Sequence, residues 1–162
     1  MKTLRHRSSI IAALLIASSV MAAYVGRPEV KVSLTGTVER SQQMIQLEKA
    51  GLLNPGEILH WTITSQNAGS APAHQYKTVG DIPTGTSYIA GSARAEGSVN
   101  ITYSLDGGKT YEAKPMIAQK LPDGSVRKIA APASLYTQVR YEWSEPLSEG
   151  KQISASYQVR VK

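Results

Sequence analysis

The sequence contains no cysteine and no phenylalanine. Without cysteine the chain forms no disulfide, carries no thiol nucleophile and lacks the lipid-bearing cysteine of a lipoprotein. Beyond the first 22 residues only two histidines remain, His60 and His74, and we find no carboxylates spaced to complete a metal site with them. The core alone must therefore hold the chain together, and we expect no metal ion and no cofactor.

Long apolar runs are also missing, with one short exception near the N-terminus. Lys2, Arg5 and Arg7 precede an apolar block at residues 10–17, and small residues follow it. This order is typical of a secretory signal peptide, whereas an uncleaved membrane anchor needs ~20 apolar residues. We expect residues 1–22 to be a cleaved signal. The mature protein would then lie outside the cytoplasm, periplasmic, secreted or on the cell surface, without an integral membrane span.

No run of like charges occurs in the rest of the chain. Without the three basic residues of the signal, the formal charge falls from +6 to +3, and acidic and basic residues are interspersed, as at Arg140 and Glu142. Proteins that follow a phosphate backbone concentrate Lys and Arg on one surface. We therefore expect no nucleic-acid partner.

Alternation of apolar and polar residues dominates the mature chain. A period of two is that of a strand with one buried face, and Gly, Pro, Asn and Asp mark turns between the runs. We predict an all-β fold, an antiparallel β-sandwich of about seven strands, in a single domain at residues 23–162. The first strand is expected to turn Val30, Val32, Leu34 and Val38 to one face. The predicted core residues are Leu59, Trp61, Ile63, Tyr141, Val159 and Val161, with Trp61 near the centre.

One segment departs from this alternation. In QQMIQLEKAGLL, residues 42–53, the positions of Ile45, Lys49 and Leu52 fit either a helical turn or a further strand. We expect a short helix here.

Turn signals bracket the strand in NPGEILHWTITSQNAGSAPA, residues 54–73. Asn67 and Gly69 can both adopt left-handed backbone angles at low cost, so we expect them to carry the chain from one sheet to the other. The other predicted structural turns contain Asp81, Pro83 and Gly85, and Asp106 and Gly108.

The order of these motifs resembles the bacterial Ig-like conserved-repeat domain, also known as domain of unknown function family eleven. The matching positions are Pro55, Gly56, Trp61, Asn67, Gly69, the spaced residues 81–85, Tyr88, Pro146, Leu147 and Gly150. The resemblance covers roughly residues 30–162, and it departs from the family at residues 40–53 and in having a single copy. It implies an Ig-like sandwich with Greek-key connections in a bacterial surface protein, and it supplies no catalytic residues.

A second, local resemblance concerns SLDGGKTY, residues 104–111, which is similar to the Asp-box hairpin of sialidase propellers. In that motif the Asp side chain accepts hydrogen bonds from turn amides, so the implied role of Asp106 is structural. Glycoside hydrolysis would also require two carboxylates on either side of a glycosidic bond. Asp81, Asp106 and Asp123 all lie in turn contexts instead.

Three classes of function are compared with these observations. The first is a non-enzymatic envelope or surface module that is structural or binds another envelope protein. The second is a carbohydrate-binding module, which would need Tyr103, Tyr111, Tyr136 and Trp143 in one exposed plane. A hydrolase is disfavoured, because the sequence offers no nucleophile beside a base. Within the first class, a first strand followed by the irregular segment 40–53 leaves open a strand-exchanging filament subunit, with oligomeric state undetermined.

The signal-peptide interpretation predicts where the mature chain begins. Because signal peptidase cuts after small residues, N-terminal sequencing of protein from the periplasm or medium is expected to start at Ala23 or Tyr24. Full-length protein beginning at Met1 in a membrane fraction would contradict export with cleavage.

Overall fold

The computed structural model describes residues 26–162, so the predicted signal peptide lies outside the described residues. Residues 26–162 contain no helix long and apolar enough to cross a membrane. Eleven strands make up about half of this part of the chain, together with one turn of α-helix and one 3₁₀ turn at Ala133–Leu135.

In chain order the first elements are β1 (Val30–Arg40), β2 (Gln43–Gln46), α1 (Leu47–Ala50), β3 (Ile58–Asn67), β4 (Lys77–Asp81) and β5 (Thr86–Tyr88). The remaining strands are β6 (Arg94–Ala95), β7 (Val99–Ser104), β8 (Met116–Lys120), β9 (Val126–Ala130), β10 (Gln138–Trp143) and β11 (Gln152–Val161).

Two antiparallel sheets form the body of the protein. The wide sheet has six strands in the order β2-β1-β3-β11-β5, with β6 also paired to β11. The narrow sheet has three strands in the order β4-β10-β7, and β8 and β9 form a separate hairpin. This confirms the all-β sandwich. The predicted count of about seven strands is wrong, because short strands at the edges and the separate hairpin raise it to eleven.

Tyrosine hydroxyls connect the facing sheets. Tyr141 on β10 donates to the carbonyl of Ser156 on β11 at 2.7 Å, and Tyr157 on β11 donates to the carbonyl of Asp81 on β4 at 2.6 Å. The narrow sheet therefore lies over β11, toward the β5 side of the wide sheet, and each ring stays in the core while its hydroxyl is paired. β1 and β2 extend beyond it.

The predicted core is confirmed at four positions. Leu59, Ile63, Tyr141 and Val159 are all at most 2% exposed. Val161 is only half-buried, because it ends β11 at the rim of the sandwich. Other residues of the core are Val38, Tyr88, Val139, Trp143, Ala155 and Tyr157.

Trp61 is half-buried, and the prediction that it lies near the sandwich centre is wrong. Its cross-strand partner on β1 is Gly36, and a Cβ on Gly36 would lie 2.7 Å from the indole Cζ3. The indole ring therefore lies on Gly36 of β1, in the part of the wide sheet that the narrow sheet does not cover. Leu47 from α1 packs over the same spot.

The first strand is also less buried than the alternation predicts. Val38 is fully buried, but Val32 and Leu34 are 54% and 55% exposed. All three lie on the same face of β1, so the difference comes from position along the strand. Val32 and Leu34 occupy the part of the inner face that no described element covers.

Residues 40–53 combine a hairpin with one helical turn. Arg40 pairs with Gln43, and Ser41 and Gln42 between them have φ of 51° and 63°, as in a type I′ turn. The expected helix exists only as the four residues of α1, Leu47–Ala50. Since the turn lacks the Asn-Gly signature of type I′, the sequence gives little indication of β2.

Asn67 is fully buried and its side chain makes four hydrogen bonds. Oδ1 accepts from the backbone N–H groups of Glu29 at 3.1 Å and Gly69 at 3.0 Å. Nδ2 donates to the carbonyls of Ala71 at 2.7 Å and Leu147 at 2.9 Å. One side chain thus joins the start of β1, the turn after β3 and the loop between β10 and β11.

The expected left-handed conformation of Asn67 and Gly69 is wrong, since neither has positive φ. Asn67 acts through its side chain instead. Position 69 has room only for glycine, because a Cβ there would clash with the carbonyl oxygen of Arg27 and the backbone nitrogen of Glu29. The predicted crossing is confirmed, because the chain passes here from β3 in the wide sheet to β4 in the narrow sheet. The turn that makes this crossing is a buried junction between three segments.

Replacing Asn67 with Ala is expected to lower the free energy of unfolding by about 2 to 4 kcal/mol, because it removes four hydrogen bonds from a fully buried side chain that joins three segments. Urea unfolding of the mature protein measures the change. Asn100→Ala is the matched control, since Asn100 is exposed on β7, and its effect should stay within about 0.5 kcal/mol. Equal effects of the two substitutions would contradict the role of the junction.

Candidate functional site

The turn at residues 104–111 is closed by the Asp106 carboxylate. Oδ1 accepts from the Thr110 backbone N–H at 2.9 Å and from the Ser104 hydroxyl at 2.7 Å, and Oδ2 accepts from the Thr110 hydroxyl at 2.7 Å. These hydrogen bonds, led by the Thr110 backbone N–H, lower the pKa of Asp106 from 3.8 to about 2. Both carboxylate oxygens are engaged within the turn.

Glycines and a tyrosine complete the predicted turns. Gly108 has φ of 90°, and Tyr111 donates a hydrogen bond to Oε1 of Gln138 on β10. The Arg140 guanidinium carbon lies 4.1 Å from the centre of the Tyr111 ring, which fixes the hairpin against the outer face of the narrow sheet.

The turn with Asp81, Pro83 and Gly85 has the geometry of type II. Gly85 has φ of 84°, and the Thr86 N–H donates to the Pro83 carbonyl at 3.0 Å. The Asp81 carboxylate accepts from Nε2 of Gln138 at 2.7 Å. Both turns therefore meet at Gln138.

The hairpin of β8 and β9, residues 116–130, is a projecting element that we call the arm. It is antiparallel from the pair Met116–Ala130 to the pair Lys120–Val126, and neither described sheet pairs with it. Its tip is closed by Asp123, which accepts from the backbone N–H and hydroxyl of Ser125. An isolated two-stranded hairpin is marginally stable in water.

The root of the arm is held firmly by the sandwich. Tyr103 and Glu112 exchange backbone hydrogen bonds of 2.8 and 3.0 Å, which extends the narrow sheet beside the Asp106 turn. Pro115 and Ala131 are buried, and the Ala131 N–H donates to the Pro115 carbonyl at 2.8 Å. The narrow sheet therefore fixes the position of the arm through these contacts at its root.

The two faces of the arm differ in exposure. Ile117 and Ile129 form a half-buried cross-strand pair on one face. Every residue of the other face is exposed, including Met116 at 42% and Val126 at 65%. That face consists of Met116, Ala118, Lys120, Val126, Lys128 and Ala130.

The four aromatic residues proposed as a sugar-binding platform do not share one exposed plane. Tyr103 and Tyr136 have ring centres 4.7 Å apart and planes tilted by 34°, and both pack against buried Tyr88. Trp143 is 8% exposed and donates its indole N–H to the Glu96 carbonyl at 2.8 Å. Tyr111 lies against Arg140 on the outer face of the narrow sheet.

A polar groove of about 500 Å³ lies on the outer face of the wide sheet. The loop at residues 89–94 forms one of its walls and Met44 lies on another side. Its floor is formed by Thr37, His60, Thr62, Ser156 and Gln158. The hydroxyl and amide groups could hydrogen-bond a polar ligand.

The arm and the groove were not identified from sequence. A Pro-Asp-Gly signal at residues 122–124 indicates the tip of the arm, but period-two alternation does not reveal that the two strands pair only with each other. The groove results from register between distant strands, which no local pattern specifies.

Among residues 26–162 no three His, Asp or Glu side chains are grouped so that they could hold a metal ion. No family model, no curated protein and no solved structure matches this chain.

Asp106→Ala is expected to destabilise the fold at pH 7, because it removes the acceptors that close the turn. The folded pKa is depressed to about 2, so this contribution is present above about pH 4 and is lost as the pH falls toward 2. The difference between wild type and variant in denaturant unfolding should therefore shrink from pH 7 to pH 2. A variant as stable as wild type that has lost a binding activity would show a functional role for Asp106 instead.

Proposed function

We propose that this protein is an exported bacterial cell-envelope protein that acts by binding another envelope protein and catalyses no reaction. The observation that carries the proposal is the arm, an ordered hairpin outside both sheets with one whole face exposed. The N-terminal signal pattern supports export. The resemblance to the Ig-like conserved-repeat domain supports both the surface location and an Ig-like sandwich.

The exposed face of the arm has the composition of a binding surface. Met116 and Val126 offer apolar contact area, and such residues on a protruding hairpin are costly to leave in water. A partner that covers this face would remove that cost.

The charge of the arm indicates the chemistry of the partner. On the exposed face Lys120 is the cross-strand partner of Val126, and Lys128 lies two residues beyond Val126 on β9. Asp123 at the tip is engaged by Ser125. A partner surface with an apolar centre and surrounding carboxylates would complement this arrangement. We therefore expect an acidic protein surface.

The contacts at the root of the arm hold it in one position before a partner binds. The Asp106 turn, the Tyr103–Glu112 pair and buried Pro115 fix its root without involving its exposed face. Binding through a fixed hairpin loses less conformational entropy than binding through a free loop.

The alternatives would use other parts of the molecule. A carbohydrate-binding module would depend on the polar groove, since the aromatic residues do not form a platform. A strand-exchanging filament subunit would have to release β1, which pairs with β3 over nine consecutive residues, 30–38. The arm requires neither a ligand in the groove nor the opening of the sandwich.

A photo-crosslinking amino acid at Val126 tests the proposal in intact cells of the encoding organism. We expect a discrete adduct with one envelope protein. Its yield should fall several-fold in a variant that also carries Lys120→Glu and Lys128→Glu, because both cations face the partner.

The control places the same crosslinker at Ser148, which is exposed in the loop between β10 and β11. Circular dichroism should show that all variants are folded, since the substituted residues are exposed. Equal adduct patterns from Val126 and Ser148, or an adduct insensitive to the charge reversals, would contradict recognition by the arm.

A further inference from the structure

The edge of β1 at residues 30–36 has no described strand beside it. β3 pairs with one side of β1 along residues 30–38, but β2 pairs with the other side only along residues 37–40. The Glu29 carbonyl accepts a hydrogen bond from the backbone N–H of Ala68, just after β3. Backbone groups of successive residues point to alternate sides of a strand, so the even-numbered residues point away from β3. These residues are Val30, Val32, Leu34 and Gly36. These backbone groups form an open edge.

The side chains at this edge offer little protection from pairing. Natural edge strands commonly carry charges, especially Lys, or prolines, bulges and inward-facing charges. Residues 32–36, VSLTG, contain none of these, and Val32 and Leu34 are more than half exposed on the inner face of the sheet. Lys31 is the only charged residue within the edge, and it lies on the outer face, where it pairs loosely with Glu29 at 3.9 Å.

We propose that the open edge of β1 pairs with the same edge of a second copy, forming a two-fold dimer with a continuous sheet. In an antiparallel pair between two copies of this edge, each even-numbered residue of one copy must lie opposite an even-numbered residue of the other. Only these residues have backbone N–H and C=O groups that point away from β3. Centring the pair on Lys31 would oppose two like charges. Centring it on Ser33 uses the whole window 30–36 in both copies.

The Ser33-centred register is complementary in its side chains. Val32 lies opposite Leu34 of the second copy, and Leu34 opposite Val32, so four exposed apolar side chains cover one another. On the outer face Lys31 lies opposite Thr35, and no like charges are opposed. The register therefore stabilises both faces of the joined sheet.

The interface is small. Seven residues from each copy bury less than the ~1,200 Å² typical of stable interfaces, so we expect association at micromolar or higher concentrations. The arm is not involved, and the dimer is independent of what the arm binds.

The absence of cysteine allows a direct test of this register. In Ser33→Cys the two thiols would face each other across a non-hydrogen-bonded pair, where Cα atoms lie about 4.5 Å apart, within the range for a disulfide. In the matched control Thr35→Cys, on the same outer face, the two copies of residue 35 would lie roughly 14 Å apart. In a glutathione redox buffer, Ser33→Cys should form disulfide-linked dimers at least about tenfold faster.

Sedimentation measures the dimer without any crosslink. The mature protein should shift from monomer to dimer as its concentration rises toward 1 mM, and Leu34→Lys should remain a monomer with an unchanged far-ultraviolet spectrum. A wild-type protein that stays monomeric up to about 1 mM would overturn the proposal. Equal crosslinking of Ser33→Cys and Thr35→Cys would overturn it as well, because it indicates random collision.

Discussion

The difference in width between the two sheets is the constraint on which the rest of the structure depends. Three strands cannot cover the inner face of a sheet that is five strands across, so the side at β1 needs another cover. Trp61 leans over Gly36, and Leu47 from α1 packs on the same glycine. Without this cover the apolar inner face of β1 would be exposed along its whole length, as it is at Val32 and Leu34.

One ion pair holds this cover in place. The Arg40 guanidinium donates to the carbonyls of Ala50 at 2.6 Å and Leu52 at 2.7 Å, and to the Glu57 carboxylate at 2.7 Å. The hydrogen bond from Arg40, followed by that from the Asn54 backbone, lowers the pKa of Glu57 to about 2. A single side chain at the end of β1 thus fixes both α1 and the chain that leads into β3.

The sequence predicted the features that depend on local pattern and missed those that depend on register. Alternation predicts the sandwich and four of its core residues, and Gly85 and Gly108 lie in the predicted turns, both with positive φ. The sequence predicts the crossing at Asn67 but not its side-chain hydrogen bonds, because the partners Glu29 and Leu147 are 38 and 80 residues away. Trp61 was placed too deep because periodicity gives the face of a residue but not the width of the opposing sheet. The arm could not be separated from the other strands for the same reason.

The placement of the arm and the open edge gives the proposed dimer a consequence for binding. The arm is inserted between β7 and β10, and β7 lies over β5, as the 3.2 Å hydrogen bond between the Tyr88 and Tyr103 hydroxyls shows. β5 and β1 lie toward opposite sides of the wide sheet, so pairing through β1 would leave both arms free and far apart. A dimer with two free arms can bind two sites on one surface, and the second contact then benefits from a high effective concentration. Weak pairing at the edge and weak binding by each arm would therefore reinforce each other wherever the partner is arrayed.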